Sequence, residues 1–229
     1  MNMLSYSTVG SDHRAKGLDN QDFILTAERG DRAILALADG VSSCAAGGEG
    51  ARLVCETLSE RLLSETADLF SVNTDTLTRE MLGCALEALR TAAAASGRAV
   101  EDYSSTLCLA LYNKLDGRAL LFQLGDSLIF IERDGKLVAR IGEVSENAET
   151  ICTTTQDAHR AVTVRVLASP DYDSITMLSD GAWRPLYRDR ATFASVVSEL
   201  QARDGEALIK RLRSANDPDD ASMVALYRT

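Results

Sequence analysis

Residues 105–141 read STLCLALYNKLDGRALLFQLGDSLIFIERDGKLVARI, and this stretch decides the fold. It contains three apolar or alternating runs, Thr106 to Tyr112, Ala119 to Leu124 and Leu128 to Glu132. Each is of strand length and too short for an ordinary helix. Asp134-Gly135 is a hairpin signal that joins the third run to a fourth, Leu137 to Ile141.

Toward the N-terminus, further short strands are predicted at Leu4 to Thr8, Phe23 to Ala27 and Ala33 to Ala38, the last ending at Asp39-Gly40. A glycine-rich turn (Gly47, Gly48, Gly50) then opens a helix with Val54, Leu58 and Leu62 on one face. Leu77, Met81, Ala85 and Leu89 predict a second helix over Thr76 to Ala95, able to pair with the first. Toward the C-terminus, Gly142 to Arg160 is polar and lacks periodicity, which in a compact domain marks a functional or mobile loop. Strands resume at Ala161 to Leu167 and Ser174 to Leu178. Two short helices are expected around Phe193 to Gln201 and Glu206 to Ser214, and Ala221 to Tyr227 closes the chain as a strand. Grouped strands with paired helices predict an α+β fold, not alternating βαβ units.

The 229 residues, with an ordinary apolar fraction, three prolines and no repeat, predict one domain over 1–229. A net charge of −10 repels phosphate backbones and anionic lipid, so neither nucleic acid nor a membrane surface is expected as a partner. The five cysteines, Cys44, Cys55, Cys84, Cys108 and Cys152, are odd in number and never spaced C-x-x-C. That pattern argues against a disulfide framework and structural zinc, and for a reducing, cytoplasmic setting. No run has the length of a signal-peptide core or a membrane span.

The chemistry is carried by aspartates at strand ends. Asp22 precedes a strand, Asp39, Asp126 and Asp180 each follow one, and Asp219 precedes the last. Glycine flanks three of them, in Asp39-Gly40, Gly125-Asp126 and Asp180-Gly181. A single Asp-Gly is most simply a turn. Five such carboxylates suggest hard oxygen ligands for magnesium or manganese, although spacing alone leaves their convergence open. If they converge, each close pair repels by ~4 kcal/mol at about 4 Å in an effective dielectric near 20, so cations are needed to hold the cluster.

Six fragments stand in one order: Asn20-Gln21-Asp22, Ala38-Asp39-Gly40-Val41, Ser104-Ser105-Thr106, Leu124-Gly125-Asp126-Ser127, Leu178-Ser179-Asp180-Gly181-Ala182-Trp183 and Asp219-Asp220-Ala221-Ser222. Together they resemble the ordered motifs of the protein phosphatase 2C type, the PPM family, in a divergent bacterial-like subfamily. The resemblance implies a four-layer α-β-β-α sandwich, two antiparallel sheets flanked by helix pairs. It further implies metal-dependent hydrolysis of phosphoserine and phosphothreonine in proteins, by a water that bridges two manganese or magnesium ions. By the same resemblance Asp39 bridges both ions, Gly40 offers its carbonyl, and Asp180 and Asp219 each hold one. Asp22 binds directly or through water, and Asp126 matches a ligand for a third, weaker ion in some bacterial members. Asp39 and Asp180 would thus serve catalysis. The partners implied are a phosphorylated protein and a cognate serine/threonine kinase pathway.

The sequence departs from the family pattern in several places. The phosphate-binding arginine expected five residues before Asp22 is Gly17 here, with His13, Arg14 and Lys16 just upstream. Arg14 is the first choice to replace it, because its guanidinium can fork onto phosphate. Val41-Ser42 replaces a pair of glycines, and Asp220 replaces the asparagine after the last ligand, where it is expected to bond the turn or face solvent. Gly142 to Arg160 matches a variable flap, in which His159 is read as a surface residue. Alternative functions are a catalytically silent binding module on the same fold, which the missing arginine keeps open, and a phosphatase for small-molecule phosphates.

Overall fold

The computed structural model describes residues 1–142, 150–187, 207 and 218–228. The elements run β1 (Asn2–Thr8), α1 (Ser11–Lys16), β2 (Asp22–Arg29), β3 (Arg32–Asp39), α2 (Gly47–Ser64), α3 (Thr74–Ser96), β4 (Leu107–Asn113), β5 (Ala119–Leu124), β6 (Leu128–Arg133), β7 (Lys136–Ile141), β8 (Thr163–Leu167), β9 (Ser174–Leu178), α4 (Asp180–Tyr187) and β10 (Ala221–Tyr227). One sheet has the order β1-β10-β9-β6-β7 and the other β2-β3-β4-β5-β8. Every pairing is antiparallel, which gives the expected α+β class.

Three apolar layers hold these sheets together. Along β4, Cys108, Ala110 and Tyr112 point between the sheets, where they meet Ile129, Ile175 and Val224 of the other sheet. Their neighbours Leu107, Leu109 and Leu111 point the other way, against Leu58 of α2 and Leu89 of α3. Because both faces are covered, the strand reads as a continuous apolar run. A third, smaller layer packs Leu128, Phe130, Leu178 and Met223 against Ala182 and Trp183 of α4. The helix pair α2 and α3 therefore flanks one sheet and α4 flanks the other. The helices expected around Phe193 to Gln201 and Glu206 to Ser214 lie outside the described residues, as does 143–149 of the polar loop.

Local chemistry sets the ends of α3. The Asn73 side chain accepts from the Thr76 backbone N–H at 3.1 Å, satisfying one of the free donors of the first turn. Gly97 closes the helix in the left-handed conformation, with φ 68°. Two short helices were not expected from sequence. α1 has six residues, and α4 starts on Asp180 itself, where Asp-Gly reads as a turn and Pro185 reads as a break.

The register brings the acidic strand ends to one edge of the sandwich. Asp22 opens β2 directly opposite Asp39 at the end of β3. In the other sheet Leu178, which ends β9, pairs with Leu128 and Met223 near the starts of β6 and β10. Asp126 sits in the crossing from β5 to β6, Asp180 follows β9, and Asp219 precedes β10.

Candidate metal centre

Asp22 and Asp39 are held from outside their own hairpin. Ser179, at the end of β9, donates its hydroxyl to Asp22 Oδ2 at 2.8 Å and accepts the Ser222 N–H at 2.9 Å, so one serine spans both sheets. Thr106 fixes Asp39 by two bonds: its N–H donates to the Asp39 carbonyl at 2.8 Å, and its hydroxyl accepts the Asp39 N–H at 3.0 Å. The Ser104-Ser105-Thr106 fragment acquires its role here. Ser105 bridges Gly40, and the Ser104 carbonyl accepts the Val41 N–H at 3.0 Å.

The glycines beside the aspartates are demanded by neighbouring backbone. A Cβ on Gly40 would stand 2.3 Å from the Gly47 carbonyl carbon, and one on Gly181 would stand 2.2 Å from the Asp220 oxygen. Neither obstruction is a side chain that could swing away, so the turns close only with hydrogen at these positions.

Burial makes the acidic group strained. Asp22 and Asp180 are 8% and 6% exposed, and among the described residues neither finds a hydrogen-bond donor for its buried Oδ1. Burial pushes the Asp22 carboxyl well above its ordinary range despite the bond from Ser179. Burial, then the charges of Asp22 and Asp180, push Asp39 well above it too. Asp180 is raised to about 6, mainly by burial, with Asp219 and Asp126 adding to the rise; a hydrogen bond with Asp39 and the charge of Arg184 oppose it. Asp39, Asp180 and Asp219 therefore lie within electrostatic reach of one another.

This group has the chemistry of a site for hard divalent cations. Its donors are carboxylate oxygens, two of them buried and unpartnered, and four aspartates would balance two divalent ions. Among the described residues no three acidic, histidine or cysteine side chains surround a single point. Asp39 stands opposite Asp22 and within electrostatic reach of Asp180; magnesium or manganese keeps several waters and takes one or two carboxylates each.

The other expected residues sort differently. Asp126 Oδ2 accepts from the Thr150 hydroxyl at 3.1 Å, and the Asp126 carbonyl accepts from Trp183 Nε1 at 2.7 Å. Asp220 is 2% exposed and does not face solvent. It accepts from the Gly10 and Gln21 N–H groups, both at 2.6 Å, and lies 2.8 Å from His13 Nδ1. His13 is thus a buried partner of Asp220. Arg14 is exposed on α1 and donates to the Val9 carbonyl. Gly17 ends α1 with φ 67°, a conformation that disfavours an arginine there. His159 is half-buried in a short 3₁₀ turn.

Sequence reasoning missed Arg184. Its NH1 lies 2.8 Å from Asp180 Oδ2 and its NH2 3.3 Å from Asp126 Oδ2. The spacing becomes informative only once α4 is known to begin at Asp180, because a helix there brings residue i+4 back over it.

Solved structures share this architecture. Serine/threonine phosphatase Stp1 from Staphylococcus aureus superposes with a TM-score of 0.77 at 14% identity, over all of this chain and 95% of that one. The Mycobacterium tuberculosis serine/threonine phosphatase PstP/Ppp gives 0.73 at 19% identity, over 100% and 99%. The catalytic domain of PstP in complex with two manganese ions gives 0.73 at 20% identity, over 98% and 96%. At these identities the likeness is one of fold. No curated protein matches the chain. The family model for protein phosphatase 2C matches residues 9–213, nearly the whole length. The chain belongs to the protein phosphatase 2C family and is an enzyme of the serine/threonine phosphatase class.

Proposed function

We propose that residues 1–229 act as one domain that removes phosphate from phosphoserine and phosphothreonine of proteins at a two-cation centre. Asp22, Asp39, Asp180 and Asp219, with the Gly40 carbonyl as a neutral oxygen, would hold the two ions. The observation that carries this reading is the pair of buried, donor-less oxygens on Asp22 and Asp180, flanking an Asp39 whose charge burial also disfavours. When bound, manganese or magnesium would supply an activated water and neutralise the phosphate. The chain's own part is to hold the acids still: Ser179 orients Asp22, Thr106 orients Asp39, and Asp220 fastens the backbone ahead of Asp22. Arg14, exposed beside this edge of the chain, is the basic group assigned to the incoming phosphate; to reach it, it must release the Val9 carbonyl.

Cysteine chemistry finds little support. Cys55 and Cys108 are buried, and burial pushes both thiols upward, away from the reactive thiolate. Cys44, Cys55, Cys84 and Cys108 are free thiols, in keeping with a cytoplasmic setting. Among the described residues no helix is long and apolar enough to cross a membrane. A kinase that phosphorylates the same protein target is the partner pathway this chemistry implies.

Phosphate release from a phosphothreonine peptide tests the reading, with manganese, with magnesium and with chelator. Turnover with either metal and none in chelator is expected. Full turnover in excess chelator would contradict the two-cation centre.

A further inference from the structure

Arg184 holds the two acids that the catalytic set does not fully use. Its guanidinium reaches across from α4 to the β5–β6 crossing, bonding Oδ2 of Asp180 and Oδ2 of Asp126, two carboxylates whose charges act on each other. The neighbouring Trp183 pins the Asp126 backbone through its indole N–H, and the Arg184 guanidinium carbon lies 5.8 Å from the centre of that indole ring. One helical turn thus fixes both the backbone and the side chain of Asp126. Asp180 Oδ2 is taken by the guanidinium, while its buried Oδ1 has no hydrogen-bond partner among the described residues.

We propose that Arg184 is a built-in cation that fills the space between Asp126 and Asp180, so that the chain binds two divalent ions where those carboxylates would otherwise recruit a third. A divalent ion bridging these acids would sit about 2.0–2.2 Å from carboxylate oxygens that the guanidinium already bonds, and would add its charge beside an arginine that stays protonated. Both cannot occupy the same place. Arg184 is half exposed (48% for its side chain), so the ion pair contributes little to folding, and what matters is the space and charge it supplies. This inference rests on the proposed two-cation centre, and its test separates the two.

The experiment counts manganese ions on the metal-free full chain by native mass spectrometry and calorimetric titration, for wild type, Arg184→Met and Arg184→Gln. Because the arginine is half exposed, both variants should fold, with circular dichroism as the check. The proposal expects each variant to bind one more ion than wild type, and expects Asp126→Asn added to either variant to remove that extra ion. Equal counts in wild type and both variants would overturn it, and so would an extra ion that survives Asp126→Asn. The difference in count judges the proposal, whereas the absolute wild-type count judges the two-cation centre: zero ions on wild type would sink that reading independently.

Discussion

Asp220 and the trio of Asp22, Asp39 and Asp180 are acids at the same edge of one sandwich, and their surroundings are opposite. Asp220 is almost wholly buried, yet two backbone N–H groups and His13 surround its carboxylate. Asp22 and Asp180 are buried as well, yet each keeps an oxygen that no donor among the described residues meets, and neighbouring acids repel Asp39. Desolvated charge is tolerable only when compensated. Asp220 finds its compensation within the chain, and on the proposed function the trio would find it in cations from solution. On that proposal the adjacent residues Asp219 and Asp220 fall on different sides of the boundary between function and folding.

The largest effect expected from this contrast is on catalysis. Asp39→Asn replaces a proposed anionic metal ligand by a neutral amide, and peptide turnover should fall by more than about a hundredfold, since even the partners behind metal ligands are worth about 10–100-fold. Steady-state assay at saturating manganese checks this. Near-normal turnover would erase the distinction between the two kinds of acid.

Asp220 should respond in the other quantity. Asp220→Ala leaves two backbone donors and His13 buried without an acceptor, a loss of about 3 kcal/mol or more. For a chain of this size that corresponds to a fall in melting temperature of roughly 6–12 °C. Asp220→Asn, which restores the asparagine that the resemblance expects at this position, should also destabilise, by less. Thermal melts of the two variants, read against wild type, decide it.

The contrast extends to the neighbours His13 and Arg14 on α1. His13→Ala should lower the melting temperature because it uncovers Asp220. Arg14→Ala should leave melting unchanged while catalytic efficiency drops about 10- to 100-fold, the worth of one charge-assisted bond to phosphate. Unchanged efficiency would remove Arg14 from the reaction.

The smallest effect is in pH. Asp180 is raised from its ordinary 3.8 to about 6, and Asp22 and Asp39 are raised with it. Stability contributed by such groups is complete below the unfolded value and is lost as pH rises through the folded one. The metal-free chain should therefore melt a few degrees lower at pH 8 than at pH 5. Saturating manganese should narrow that gap.

Much of this contrast was hidden in the sequence, and the reason is distance along the chain. Strands such as β5, β9 and β10 were legible to the residue because they are mostly apolar, buried on both faces and bounded by Gly-Asp or Asp-rich turns. The aspartates stood out for the same reason, as polar residues at the ends of apolar runs. The short helices α1 and α4 were not legible, since six and eight residues are too few to display a helical period. Nor could spacing reveal that Asp220 serves Gly10, His13 and Gln21 some 200 positions away, or that Ser179 reaches Asp22. The same distances hid the difference between a satisfied acid and an unsatisfied one.

Manganese titration of the metal-free chain, followed by melting temperature in wild type, Asp180→Asn and Asp220→Asn, tests the central claim most directly. Asp180→Asn should melt higher than wild type without metal, because a strained buried charge is gone, and should gain little from manganese. Asp220→Asn should melt lower without metal and still gain the full wild-type increment. Loss of the manganese increment in Asp220→Asn, with its retention in Asp180→Asn, would contradict the account.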